Sequence, residues 1–265
     1  AHRKYMLKYL FNVKNINNKQ DFILHEMEIC HLAALHYFKN YYAWTHRQWM
    51  LQYIKNINFL LIQLNTLKKW NNTNISDHCG FHYRTCLIIE ISRLCQCQDV
   101  HLNFRENISP THWIPSTSVS VSVEKKTKKT SNCLIKKVIK DELQYIQQLI
   151  QHYPIHESMW MYIRFLSFQH IYLCYHGNDI KKLHQFYQEN CIDFITSLMT
   201  LHPHQSTTQL NIYALKYQKW VLSLLKVIDM IPKQNEQDDV ILRDKIYQYE
   251  VIHLPHLTPV RQYTL

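Results

Sequence analysis

Glycine is almost absent from this sequence, which has only Gly80 and Gly177 among its 265 residues. Barrels, dinucleotide-binding folds and phosphate-binding loops need several glycines, because their turns require a positive φ that other residues rarely adopt. Neither glycine lies in a glycine-rich phosphate-binding motif. The scarcity of glycine therefore argues against these strand-containing folds and predicts an all-α protein.

Features of several other protein classes are also missing. No apolar run approaches the roughly 20 residues that a membrane-spanning helix needs. The opening AHRKYMLKYLF lacks the continuous apolar stretch of a signal peptide. The sequence contains no nucleophile elbow, no HExxH motif and no convincing carboxylate pair. We therefore expect neither a membrane protein nor an enzyme that works alone.

The cysteines show no metal-binding or disulfide pattern. There are eight, at positions 30, 79, 86, 95, 97, 133, 174 and 191, and none forms a CxxC pair. Several lie in apolar stretches with helical spacing, where cysteine behaves as a small hydrophobic residue. This pattern favours a reducing compartment without disulfides, and we expect the protein to be cytoplasmic.

Positive charge is abundant, with a net charge of +10 and 18 histidines that add little at neutral pH. A basic chain can meet nucleic acid, an anionic membrane surface, an acidic protein or a phosphate. It can also simply have a basic, solvated surface. Charge alone leaves these alternatives open.

Most of the chain shows the spacing of amphipathic helices. In residues 21–38 apolar side chains recur every three to four positions, which predicts a helix. A break at Lys39 and Asn40 follows, and the next helix is expected from about Ala43. Further helix pairs are expected at 57–70 with 81–95, 133–153 with 159–176, and 180–201 with 207–228. Ser76 or Asp77 is expected to cap the helix that follows it.

Two segments depart from this helical pattern. Residues 109–132 combine prolines, a Ser/Val alternation and a lysine run at 125–129, which predicts an exposed or disordered insert. The second segment is residues 231–265, a tail with one short helix expected at 238–249 before two prolines. We therefore expect a helical repeat domain over residues 1–230 and a separate tail.

Aromatic and arginine residues recur where the second helix of each pair begins. FKNYYAWTHRQWML, GFHYRTCLI and SMWMYIRFL share this arrangement, so each pair of helices reads as one copy of a repeat. The apolar faces of such units are buried only when the units stack. We expect the recurring side chains to be structural, with the arginines donating to open carbonyls of an adjacent helix end. These residues are Trp44, Arg47, Trp49, Phe81, Arg84, Trp160 and Arg164.

The repeat resembles a known family. KNYYAWTHRQW closely resembles N-Y-x-x-W-x-x-R-x-W, the signature of the protein prenyltransferase alpha-subunit repeat family, and HESMWMYIRFL resembles a later repeat, N-E-S-x-W-x-Y-x-R. The resemblance covers roughly residues 1–230 and is sharp at 38–51, 76–88 and 154–166. Within the family, SDHCGFHYR is most similar to the alpha-type chain of the third kind of protein geranylgeranyltransferase.

This resemblance implies a fold and a role. The implied fold is a right-handed, TPR-like crescent of stacked antiparallel helical hairpins that wraps a prenyltransferase beta subunit. The implied partner is the beta subunit of Rab geranylgeranyltransferase, which holds the zinc ion and the geranylgeranyl diphosphate, while this chain binds no metal. The product is a geranylgeranyl thioether on a C-terminal cysteine of a protein substrate. Lys39 and Tyr41 match the Lys and Tyr that the family lends to the diphosphate leaving group.

Three other functions compete with this one. His78, His82 and Cys86 follow an i, i+4, i+8 spacing on one helix, and with Cys95 or Cys97 they could bind zinc. The lysine run and the aromatic residues could bind nucleic acid. A scaffold with the same fold and no part in catalysis is the third alternative, because a fold does not determine a function.

Overall fold

The computed structural model describes residues 2–13, 19–37, 39–97, 131–176, 180–202 and 208–229. Within these ranges every regular element is a helix and no strand occurs, which confirms the all-α prediction. The helices are α1 (His2–Val13), α2 (Lys19–His36), α3 (Tyr41–Met50), α4 (Ile57–Thr73), α5 (His78–Cys97), α6 (Ser131–His152), α7 (Glu157–His176), α8 (Ile180–Tyr187), α9 (Phe194–Leu201) and α10 (Thr208–Asp229).

Short polar side chains determine where several helices begin. Asn40 caps α3 by accepting a hydrogen bond from the amide of Ala43, and Asn56 caps α4 by accepting one from Phe59. The Asp77 carboxylate accepts a hydrogen bond from the amide of Cys79 at the start of α5, as expected for one of the two predicted caps. Each bond satisfies an amide that has no partner within its own helix.

The chain divides into two compact units, and the first comprises residues 1–170. In this unit α2 pairs with α3 and α4 with α5, while α5 also packs against α3 and α6. Apolar residues along these helices form a buried core because each helix turns one face towards its neighbours. Leu60, Leu67, Leu87, Ile88, Ile139 and Ile163 are among its fully buried members.

The second unit comprises residues 171–265. Here α8 and α9 are joined by a π-helical segment, Gln188–Asp193, which packs against α10. The buried hydroxyl of Tyr217 lies 3.5 Å from the carbonyl oxygen of Asn190, where the wider π-helical turn disturbs the regular hydrogen-bond ladder. Cys191 within this segment and Leu198 of α9 are fully buried.

The element boundaries differ from the sequence expectations in small ways. α3 begins at Tyr41 rather than Ala43, because Asn40 provides the cap two residues earlier. α6 begins at Ser131, so the last two residues of the predicted 109–132 insert are helical. The rest of that insert and the 231–265 tail lie outside the described residues. Within the described ranges, every helix is too short or too polar to cross a lipid bilayer.

Candidate functional site

Trp44 and Arg47 lie inside the first unit. The Trp44 ring contacts Trp70 of α4 and Tyr83 of α5, each with ring centroids 5.6 Å apart. The Arg47 guanidinium carbon lies 5.0 Å from the Tyr83 ring centroid and 5.7 Å from that of Trp44, and the guanidinium donates a hydrogen bond to the side-chain oxygen of Gln63. Burial raises the pKa of Tyr83 to about 12. This cluster joins the α2–α3 hairpin to the α4–α5 hairpin.

Arg84 is fully buried and makes the same kind of link one repeat later. Its guanidinium pairs with the Glu142 carboxylate of α6 and donates a 2.8 Å hydrogen bond to the Leu64 carbonyl of α4. The hydroxyl of Tyr162 donates to the same carboxylate at 2.7 Å. Burial lowers the pKa of Arg84, but the charge of Glu142, the hydrogen bond to it and the neighbouring tyrosines together more than offset this effect, so the pKa lies above its usual value.

These contacts correct the sequence expectation for the arginines, which was that they donate to open carbonyls at a helix end. Arg47 donates to an amide side chain, and Arg84 pairs mainly with a carboxylate and otherwise donates to a carbonyl in the middle of α4. For Arg84 the reason is electrostatic: its fully buried guanidinium is stabilised by the full charge of Glu142, whereas a helix-end carbonyl carries only a partial charge.

The remaining residues of the repeat pattern differ in burial. Phe81 and Trp160 are buried, and the Trp160 indole donates a 2.7 Å hydrogen bond to the Pro154 carbonyl in the turn before α7. Arg164 is only half-buried, with its guanidinium 4.0 Å from the sulfur of Met161. Trp49 is also half-buried and stacks on the His46 ring.

Lys39 and Tyr41 lie at the turn between α2 and α3, and both are exposed. Lys39 has a φ of 56°, which makes it the single non-glycine residue with positive φ in the described ranges. Tyr41 is the first residue of α3 and is 64% exposed, and its neighbour Tyr42 is 84% exposed. The motif KNYYAWTHRQW thus presents Lys39, Tyr41 and Tyr42 to solvent and buries Trp44 and Arg47.

This exposed turn has the chemistry of an anion site. The Lys39 ammonium carries a full positive charge, and the Tyr41 phenol can donate a hydrogen bond. The N-terminus of α3 adds free backbone amides and the positive end of the helix dipole. A cation, a phenol and a helix N-terminus together favour a group that carries or develops negative charge, such as a diphosphate.

The zinc alternative gains no support from the described residues. The His82 Nε2 atom lies 3.8 Å from the sulfur of Cys86, and no third ligand completes a group with them. Burial raises the pKa of the Cys86 thiol to about 12. The side chain of Cys97 lies outside the described residues.

Sequence reasoning missed the acidic partners of the basic side chains. Glu26 of α2 accepts hydrogen bonds from Arg3 at 2.7 Å and 2.6 Å and lies 3.0 Å from His46 of α3. Glu142 was missed in the same way, because its partner Arg84 lies 58 positions earlier in the sequence. A charged residue on the apolar face of a predicted helix was the one available signal, and both glutamates have it.

The paired helices, the buried Trp–Arg contacts and the exposed Lys–Tyr turn lie in the part of the chain that resembles the prenyltransferase alpha-subunit repeat. The sequence profile of the family described as "Protein prenyltransferase alpha subunit repeat" matches residues 23–54, which include this turn. The family resemblance inferred from the sequence is thereby confirmed.

The chain is similar to curated proteins that share this repeat. It is 30% identical over 168 residues to human "Protein prenyltransferase alpha subunit repeat-containing protein 1", a match covering 63% of this chain and 40% of that protein. It is 31% identical over 157 residues to the protein of the same name from Danio rerio, covering 57% and 33%. For the 1-B protein of Xenopus laevis the identity is 28% over 150 residues, covering 55% and 33%. The chain therefore spans two fifths or less of these relatives.

Proposed function

We propose that this chain is the alpha-type, non-zinc subunit of a heterodimeric protein geranylgeranyltransferase in the cytoplasm. In this proposal it wraps a beta subunit of the Rab geranylgeranyltransferase type, which holds the zinc ion and geranylgeranyl diphosphate. The pair transfers the geranylgeranyl group to a C-terminal cysteine of a protein substrate. The chain alone has no catalytic activity.

One observation carries the proposal. In the repeat that matches the prenyltransferase family, Lys39 and Tyr41 are exposed beside the N-terminus of α3, while Trp44 and Arg47 of the same motif are buried. The buried residues have a structural explanation in the stacking of hairpins, and the exposed pair does not need to be Lys and Tyr for the fold. An ammonium and a phenol suit a diphosphate leaving group, on which negative charge grows during transfer.

The first experiment tests the partner. We would co-express the chain with the Rab-type beta subunit, and with a farnesyltransferase beta subunit as the control, and analyse both preparations by size-exclusion chromatography. A one-to-one complex with the Rab-type subunit alone supports the proposal. Failure to bind either subunit contradicts it and favours the scaffold alternative.

The second experiment tests the role of the exposed pair in the purified heterodimer. Lys39→Ala is expected to lower kcat about a hundredfold without weakening subunit association, since one charge-stabilising donor is lost in the transition state. Tyr41→Phe removes only the hydroxyl and is expected to lower kcat by a smaller factor. Lys69→Ala, at an exposed position on α4, is the matched control and should transfer at the wild-type rate. A wild-type kcat for Lys39→Ala would refute the catalytic role.

A further inference from the structure

We propose that Asn40 is a positioning residue that presents Lys39 to the diphosphate, an inference that rests on the function proposed above. Asn40 follows Lys39 directly and is half-buried, whereas Lys39 is exposed. Its side chain bonds to both helices that flank the turn. Asn40 therefore acts through the conformation of Lys39 and not through contact with the diphosphate.

The side chain of Asn40 clamps the turn from both sides. Its Oδ1 atom accepts a hydrogen bond from the amide of Ala43 in α3, at 3.1 Å. Its Nδ2 atom donates to the carbonyl of Ala33 in α2, at 3.3 Å. An ordinary helix cap needs only the first of these bonds. The second bond ties the end of α2 to the start of α3, with Lys39 held between them.

Lys39 needs such a clamp because its backbone conformation is an unusual one. Its φ of 56° lies in the left-handed region, where a side chain crowds the backbone, so lysine adopts it only when the surrounding structure holds it there. Without the two hydrogen bonds of Asn40, Lys39 would relax to an ordinary negative φ, and its ammonium group would point in a different direction. Backbone strain of this kind is often found where a functional side chain must be oriented.

The chain contains a matched control for this inference. Asn56 caps α4 through the same type of bond, a 3.2 Å hydrogen bond accepted from the amide of Phe59. The residue directly before Asn56, Lys55, does not have a positive φ. Asn56→Ala therefore removes a cap of the same kind without disturbing Lys39. Asn40→Ser is the second useful variant, since a serine hydroxyl can still cap α3 but is too short to reach Ala33.

The closing experiment measures the backbone of Lys39 in the purified chain by NMR, from its backbone chemical shifts and its amide–Hα coupling. Positive φ is expected in the wild type and in Asn56→Ala, and its loss is expected in Asn40→Ala and Asn40→Ser. Retention of positive φ in both Asn40 variants would overturn the inference. This readout does not depend on a partner subunit.

Kinetics of the heterodimer with the Rab-type beta subunit give the second arm. Asn40→Ala and Asn40→Ser are expected to lower kcat at least about tenfold, since small misplacements of a catalytic group are costly, while the KM for each substrate stays within about twofold. In a Lys39→Ala background Asn40→Ala should have no further effect on kcat. An equal further loss there would show a merely structural role and overturn the inference. A wild-type kcat for Lys39→Ala would instead overturn the proposed function itself.

Discussion

At the scale of single residues, the buried guanidinium of Arg84 depends on an opposite charge and on hydrogen bonds to its neighbours. A charge without contact with water is stable only when an opposite charge and enough hydrogen bonds surround it. Glu142 supplies the charge, the Leu64 carbonyl accepts a further hydrogen bond, and Tyr162 donates to the same carboxylate. Removing one partner therefore leaves an uncompensated charge in the core.

We expect Glu142→Gln to lower the free energy of unfolding by about 3–5 kcal/mol, because the charge of Arg84 stays buried without its partner. Urea denaturation followed by circular dichroism measures this loss. Arg93→Gln is the control, since Arg93 pairs with Glu90 on the exposed side of α5 and such pairs contribute less than about 1 kcal/mol. Equal losses for the two variants would contradict the buried network.

Trp44 provides a second test at this scale. Its ring is enclosed by Trp70 and Tyr83, so Trp44→Ala is expected to lower the free energy of unfolding by about 3–5 kcal/mol. Tyr42→Ala, two residues away and 84% exposed, should change stability by less than about 0.5 kcal/mol. Denaturant titration of both variants decides the matter, and a loss below about 1 kcal/mol for Trp44→Ala would contradict the core position.

The carboxylate of Glu26 makes stability depend on acid pH. Burial raises its pKa, but the hydrogen bonds from Arg3 and His46 and the charges of these two residues together more than offset this, so the pKa in the folded state lies below the ordinary value of 4.5. A lowered pKa stabilises the folded state at pH values above the unfolded-state pKa, and this contribution is lost as the pH falls through the folded-state pKa.

The stability difference between wild type and Glu26→Gln is therefore expected to shrink as the pH falls below about 5. Unfolding free energies of both proteins at a series of pH values measure it. A difference that stays unchanged from pH 6 to pH 3 would show that Arg3 and His46 do not stabilise the charged form of Glu26.

At the scale of elements, the helices were predictable and their contacts were not. The spacing of apolar residues was enough to predict most of the helices, because a helix with one buried face has apolar residues every three to four positions. The left-handed Lys39 and the π-helical segment 188–193 were not predictable, since tertiary contacts hold both and neither has a sequence marker such as glycine. The exposure of Lys39 and Tyr41 matches their place in the motif, whereas the partners of Arg47 and Arg84 required the structure.

Gly80 shows how one missing side chain controls the packing of two helices. A Cβ atom at this position of α5 would lie 2.8 Å from Nδ2 of Asn71 and 3.2 Å from the Trp70 ring, both on α4 and both buried. The absence of a side chain therefore lets α4 and α5 approach closely. Gly80 does not have a positive φ, so glycine is needed here because it leaves room for Asn71 and Trp70 and not because of its backbone conformation.

We expect Gly80→Ala to destabilise the protein by about 1–3 kcal/mol, because overpacking outweighs the gain of up to about 1 kcal/mol in helix propensity. Thermal and urea unfolding measure the effect. In an Asn71→Ala background the same substitution should cost less, since the closest contact is gone. A stabilised Gly80→Ala variant would mean that Asn71 and Trp70 move aside freely.

At the scale of the whole molecule, the net charge of +10 is compatible with binding nucleic acid, but the tryptophans of the repeat pattern that are buried cannot contribute to it. Trp44, Trp70 and Trp160 are enclosed in the core and cannot stack on bases. We expect only weak, sequence-independent binding to single-stranded RNA, with a Kd of about 10⁻⁴–10⁻⁶ M that weakens steeply with salt. Fluorescence anisotropy at 50 and 200 mM salt tests this, and submicromolar binding at the higher salt would revive the nucleic-acid alternative.

The contact between Arg84 and Glu142 also has a kinetic consequence. The two residues are 58 positions apart, whereas α2–α3 and α4–α5 pair between neighbours in the sequence. Closing so long a loop loses more chain entropy than forming a hairpin, so this contact is expected to form after the rate-limiting step of folding. Glu142→Gln should then increase the unfolding rate and leave the folding rate nearly unchanged. The ion pair is thus expected to slow unfolding without speeding up folding.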